Sequence, residues 1–133
     1  MARILVAEDE EALRGLIVRG LAQDGHEVLS AHDGAEALDT LSRASEPFDL
    51  LLADIRMPVM DGIALALAAA RDHPGLAILL MTAYADQRER ASGLDRLIQD
   101  VISKPFTLEA LRTAVATALA ATARGRAGRP HRP

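Results

Sequence analysis

Apolar and polar positions along this 133-residue chain follow one repeating rhythm. The run RILVA at 3–7 reads as a short strand, and Ala12, Leu13, Leu16, Ile17 and Leu21 then recur at helical spacing until DG at 24–25 stops the helix. HEVLSA at 26–31 predicts a second strand, and DGAEALDTLSRA at 33–44 a second helix with Ala35, Leu38 and Leu41 on one face. FDLLLAD at 48–54 is a continuous apolar run ending in an aspartate, the pattern of a strand buried on both faces. DGIALALAAARDH at 61–73 predicts a third helix, capped by Asp61 and ended near HPG. LAILLMTA at 76–83 is the fourth strand, DQRERASGLDRL at 86–97 the least apolar helix, and DVIS at 100–103 the fifth strand. TLEALRTAVATALAA at 107–121 is a long last helix, with Leu108, Leu111, Val115 and Leu119 in line and Thr107 as its N-cap.

Strands alternating with helices through short loops predict a parallel sheet covered on both faces, an open doubly wound α/β sandwich of five β/α units. In such a sheet ligands bind beyond the carboxyl ends of the strands, where the strand order switches. Strand one ends in Glu8-Asp9, strand three in Asp54, strand four in Thr82 and strand five in Ser103-Lys104. With the flavodoxin-like order 2-1-3-4-5, strands one and three are neighbours, and Glu8, Asp9 and Asp54 share one pocket. Three carboxylates together repel one another. A divalent cation resolves this, and hard oxygen ligands with positions left for water and phosphate describe a Mg²⁺ site. Lys104 is the only lysine beside fourteen arginines among the 15 basic residues. Its ammonium is a compact point charge on a flexible stem, able to reach a single anionic oxygen, whereas arginine's planar fork is larger and places its charge differently. With Thr82 adding a hydroxyl donor, the constellation predicts a site for a phosphoryl group on a carboxylate.

Composition narrows the class. Phe48, Tyr84 and Phe106 are the only aromatic residues, so the core is built from Leu, Ile, Val and Ala. The absence of cysteine excludes a disulfide framework and a thiolate metal site. No apolar run has the length of a signal peptide or a membrane span, and the expectation is a soluble cytoplasmic protein. Net charge is −4, but RGRAGRPHRP at 124–133 holds four arginines and no acid, so residues 1–123 carry 11 basic against 19 acidic groups, a net of −8. An acidic body disfavours a polyanionic partner, and neither nucleic acid nor membrane is expected as one. The expected organisation is one domain over 1–123 and a disordered basic tail over 124–133. His26, His32, His73 and His131 show no ligand spacing.

The segments AEDE, DIRMPVMDG, MTAY and SKPF, in that order, resemble the receiver domain of bacterial two-component response regulators, over about residues 2–122. The resemblance implies a single-domain response regulator acting as a phosphoacceptor in a phosphorelay, not an enzyme beyond self-phosphorylation from small donors and self-dephosphorylation. It implies phosphorylation of Asp54, with Asp9 a direct Mg²⁺ ligand, Glu8 an outer-sphere one and the Arg56 backbone carbonyl a further ligand. Thr82 and Lys104 would contact the phosphoryl oxygens, and the Lys104–Pro105 bond would be cis. The implied upstream partner is a sensor histidine kinase or a histidine phosphotransfer protein. With nothing after the domain but the tail, the expected output is a protein contact changed at helix four, strand five and helix five. More narrowly, MARILVAEDE, FDLLLADIRMPVMDGIALA and VISKPF resemble the CpdR-like group, which implies cell-cycle control through the ClpXP protease; a stand-alone relay or chemotaxis-type receiver with another target is the alternative. One departure stands out. Many receivers place an aromatic residue three before the lysine, where this chain has Val101. Tyr84, two residues after Thr82, is placed to act instead, to shield the phosphoryl group, or simply to pack in its loop. Other classes fit less well: a haloacid-type aspartate phosphatase needs a second acid where Arg56 stands, and EDEE would repel the phosphate of a flavin.

Overall fold

The computed structural model describes the backbone of residues 1–127 and the side chains of residues 1–122. Strands β1 (Arg3–Ala7), β2 (Glu27–Ala31), β3 (Leu50–Asp54), β4 (Ala77–Thr82) and β5 (Asp100–Ser103) alternate with helices α1 (Glu11–Gln23), α2 (Gly34–Arg43), α3 (Gly62–Asp72), α4 (Ala85–Ala91) and α5 (Leu108–Ala127). Every strand pairing is parallel, and the order is β2-β1-β3-β4-β5, the flavodoxin-like doubly wound order.

The two-residue period of the strands sorts the core into two layers. Ile4, Val6, Leu50, Leu52, Ala77, Leu79 and Met81 pack on one face with Ile17, Leu21, Leu111 and Val115 of α1 and α5. Leu5, Ala7, Leu51, Ala53, Ile78 and Leu80 pack on the other with Ala37, Leu41, Leu65, Ala66 and Ala69 of α2 and α3. Each such leucine or isoleucine contributes about 1.5–3 kcal/mol on burial. β3 and β4 are buried along their whole length, whereas the edge strands β2 and β5 are only partly so. A charged residue inside β3 would therefore find no water and no partner, and Asp54 stands at the strand's last position.

Local chemistry ends and starts the helices as the side chains dictate. Asp33, Asp61 and Thr107 accept hydrogen bonds from the backbone N–H groups of Glu36, Ala64 and Ala110 at 2.7, 2.8 and 3.0 Å, capping α2, α3 and α5. Gly25 takes φ +88° directly after α1, a conformation that a side chain disfavours. At Gly62 a Cβ would lie 2.2 Å from the Asp54 carbonyl oxygen, so only glycine lets α3 start this close to the end of β3.

Three elements differ from the sequence-based expectation. The helix expected over 86–97 stops at Ala91 and tightens into a 3-10 turn, Ser92–Leu94. Within α4 only Ala91 is buried, and the Ser92 hydroxyl donates to the Glu89 carbonyl at 2.6 Å, competing with helical bonding just before Gly93. α5 continues to Ala127, past the expected start of the tail at 124, because alanine and arginine are strong helix formers; the tail's remainder, 128–133, lies outside the described residues. Leu16, expected on the buried stripe of α1, is 47% exposed, since that helix docks through Ile17, Gly20 and Leu21. Among the described residues no helix is long and apolar enough to cross a membrane.

Candidate phosphoacceptor site

Register brings the polar strand ends together. Ala7 pairs with Ala53, Asp54 with Met81, and Thr82 with Ser103, so the residues following β1, β3, β4 and β5 share one edge of the sheet. Glu8 is fully buried, Asp54 is 6% exposed, Thr82 is 2% exposed, and Asp9 is open to solvent. Ligand oxygens of Glu8, Asp9 and Asp54 lie within 4.8 Å of one another. The three acids that the strand-end rule grouped therefore form one cluster.

Lys104 closes it. Its Nζ donates to Glu8 Oε1 and to Asp54 Oδ2, each at 2.8 Å, and its side chain is 18% exposed. The Lys104–Pro105 peptide bond is cis. Glu8 is held from every side: Oε2 accepts from the Glu10 N–H at 3.0 Å, and its backbone oxygen accepts from Arg14 at 2.9 Å. Burial pushes the Glu8 carboxyl above its ordinary value against the hydrogen bonds from Lys104 and Glu10, with the neighbouring Asp54 charge adding to the rise. For Lys104 burial works downward, but hydrogen bonds to Asp54 and Glu8 outweigh it and raise the ammonium above its ordinary value. A compact ammonium with three donors reaches both carboxylates from one position and keeps one N–H to spare.

The donor set suits a hard divalent cation, with carboxylate oxygens clustered and Asp9 facing solvent. Both Glu8 oxygens have protein donors, the Glu10 N–H and Lys104, and both Asp54 oxygens do as well, the Arg56 N–H and Lys104. Arg56 lies two residues beyond Asp54; its N–H donates to Asp54 Oδ1 at 3.3 Å, and its guanidinium carbon sits 5.1 Å from the centre of the Tyr84 ring. Tyr84 is 45% exposed at this rim. Thr82, although at the same sheet edge, is engaged elsewhere. Its hydroxyl lies 2.8 Å from Gln87 Oε1 and 3.2 Å from the Tyr84 carbonyl, and accepts from the Tyr84 N–H at 3.1 Å. Gln87 and Arg14 were not legible as site residues, because neither carries a motif and each arrives through the pitch of a helix. Val101 is a half-buried β5 residue whose carbonyl accepts from Arg88 at 2.7 Å; Arg88 also donates to the Ser103 hydroxyl at 3.0 Å.

The response regulator receiver domain model matches residues 4–116. Over 109 residues the chain is 41% identical to Response regulator MprA from Mycobacterium avium (strain 104), which covers 82% of this chain and 47% of that protein; the chain spans about half the length of the curated relatives it matches. Among solved structures it resembles a CheY-like response regulator receiver domain protein from Methanospirillum hungatei, with TM-score 0.85 and 27% identity over 94% of this chain and 98% of that one. It also resembles the response regulator TrrA from Thermotoga maritima in complex with Mg²⁺-BeF, with TM-score 0.78 and 31% identity over 89% and 99% of the two chains. Fold, acidic cluster and matched span agree: the chain belongs to the response regulator receiver domain family.

Proposed function

We propose that this chain accepts a phosphoryl group on Asp54 from a histidine of a sensor kinase or histidine phosphotransfer protein, and signals by changing a protein contact. The observation that carries this reading is Lys104, its ammonium 2.8 Å from both Glu8 and Asp54 among three clustered carboxylates. An Asp54 carboxylate oxygen attacks phosphorus, and the P–N bond to the donor imidazole breaks with its electron pair going to nitrogen. The product is an acyl phosphate. Asp9, Asp54 and the Arg56 carbonyl would hold Mg²⁺ directly and Glu8 through water; when bound, the ion supplies positive charge toward the phosphoryl oxygens. Lys104 has one N–H beyond the two it uses, placed to donate to a phosphoryl oxygen. An apolar cavity of about 440 Å³, lined by Leu13, Ala83, Lys104, Pro105 and Phe106, adjoins this position and supports docking of the donor protein there.

The output surface in this reading is α4, β5 and α5. α4 is the weakest-packed helix and joins the site through Thr82 and Tyr84. The narrower reading, a CpdR-like regulator of ClpXP proteolysis, predicts phosphorylation-dependent binding to that protease; equal or absent binding in both states removes it. Incubation with acetyl phosphate and Mg²⁺, followed by peptide mapping in a mass spectrometer, tests the main reading. One labile adduct on the Asp54 peptide is expected, lost in Asp54→Asn and in EDTA. Undiminished phosphorylation of Asp54→Asn overturns it.

A further inference from the structure

The Thr82 hydroxyl has one proton to donate and lone pairs with which to accept. Its shorter acceptor contact is Gln87 Oε1 at 2.8 Å, against 3.2 Å to the Tyr84 carbonyl, and it accepts from the Tyr84 N–H at 3.1 Å. All these partners lie on the α4 side, and among the described residues no hydrogen bond joins Thr82 to Asp54, the nearest carboxylate strand end. Thr82 is 2% exposed, so water competes little for the proton.

The same atoms hold the start of α4. Tyr84 is its N-cap residue and makes no side-chain capping bond, while Thr82 Oγ1 accepts from the Tyr84 N–H and so fixes the chain where it enters the helix. Gln87, half-buried in the first turn, is tied back to the same oxygen. Beyond this the helix is secured by two arginines, Arg88 on the Val101 carbonyl and Ser103, and Arg90 on Asp61 at 3.3 Å, with only Ala91 buried. A seven-residue helix with one buried side chain is positioned by these polar ties rather than by packing.

We propose that Gln87 is a latch on the resting state: its carboxamide oxygen takes the single proton of Thr82, so engaging a phosphoryl group on Asp54 must break this bond and release the first turn of α4. Gln87 acts through Thr82 and is a positioning residue. The inference rests on the reading of Asp54 as phosphoacceptor and adds to it the group that opposes activation. A ligand shifts such an equilibrium only by what differs between the two states, and here the difference is one hydrogen bond exchanged for another.

The test uses beryllofluoride with Mg²⁺ as the phosphoryl mimic on the full chain. Gln87→Leu keeps the size of the side chain and removes the acceptor. Its beryllofluoride affinity should rise about fivefold, which is about 1 kcal/mol at 1.4 kcal/mol per tenfold, the size of a neutral hydrogen bond. In the ligand-free state the Thr82 methyl resonance should move part of the way toward its beryllofluoride-bound position. In a Thr82→Val background, where no hydroxyl remains to latch, the same substitution should leave affinity unchanged. An equal gain in the Thr82→Val background overturns the latch, as does unchanged affinity in Gln87→Leu while wild type binds normally. Failure of wild type itself to bind beryllofluoride would instead remove the Asp54 reading, and the latch with it.

Discussion

Replacing Lys104 with methionine keeps an unbranched side chain of similar length and removes the ammonium. Glu8 and Asp54, whose side chains are 1% and 9% exposed, are left facing each other with no cation between them. Breaking one side of a buried ion pair costs roughly 3–5 kcal/mol. The Lys104 side chain keeps 18% exposure, so water screens part of the attraction and the lower end, about 3 kcal/mol, applies. With a urea dependence of about 1.5 kcal/mol per molar, the unfolding midpoint in EDTA at neutral pH should fall by about 2 M. The pH dependence follows from two raised groups. Lys104, held above its ordinary value, contributes fully at neutral pH and loses that contribution only as alkaline pH passes through its folded value. Glu8, raised by burial, is most favourable below the usual glutamate range, and that contribution is lost as pH rises through its folded value. Removing the Lys104 hydrogen bond raises Glu8 further, so the gap between mutant and wild type should narrow as pH falls from neutrality toward the usual glutamate range. Mg²⁺ should stabilise the mutant more than wild type, where the lysine already offsets part of the cluster's charge; a tenfold excess over Kd gives about 1.4 kcal/mol to whichever form binds. A mutant midpoint within about 0.3 M of wild type in EDTA, or an equal gain from Mg²⁺ in both, would refute this account of the lysine.

Three further outcomes are expected. Lys104→Arg retains the charge but not the point-charge position bridging two carboxylates, so phosphorylation should change partner binding less than in wild type; an equal response in a partner titration counts against the geometric argument. Arg56 stacks over Tyr84 at the rim, and losing that screen in Tyr84→Ala should speed self-dephosphorylation about two- to fivefold, the rate equivalent of a cation–π contact of about 0.5–1 kcal/mol; an unchanged half-life of the acyl phosphate removes the shielding idea. Val59 is β-branched, 83% exposed and held at φ +70°, so Val59→Asn relieves strain without loss of packing and should stabilise the fold by about 1 kcal/mol, raising Tm by about 4 °C; a lower Tm would show that the strain is compensated.

Elements fixed by burial and by covalent geometry were readable from residues alone. RILVA, FDLLLAD and LAILLMTA must be strands because a period of two places their residues in both core layers, and Asp61 and Thr107 cap their helices through bonds that are local in sequence. The strand-end rule then grouped Glu8, Asp9, Asp54 and Lys104 from positions up to 96 residues apart. What escaped depends on angles that composition does not encode. The break of α4 at Ser92 needs the competition between a side-chain hydroxyl and the helical ladder, and the exposure of Leu16 follows from how α1 rolls against α5. The bonds of the Thr82 hydroxyl to Gln87 Oε1 and to the Tyr84 backbone depend on where the first turn of α4 falls, which no motif encodes.

A phosphoryl group on Asp54 is expected to change the α4-β5-α5 surface. Backbone amide shifts of the full chain, mapped with and without beryllofluoride and Mg²⁺, test it most directly. Shifts are expected at the strand ends 8–9, 54–56 and 82–84 that continue through α4 and β5, vanish in Asp54→Asn, and survive deletion of residues 124–133. Shifts confined to α2 and the edge strand β2, or undiminished in Asp54→Asn, would contradict it.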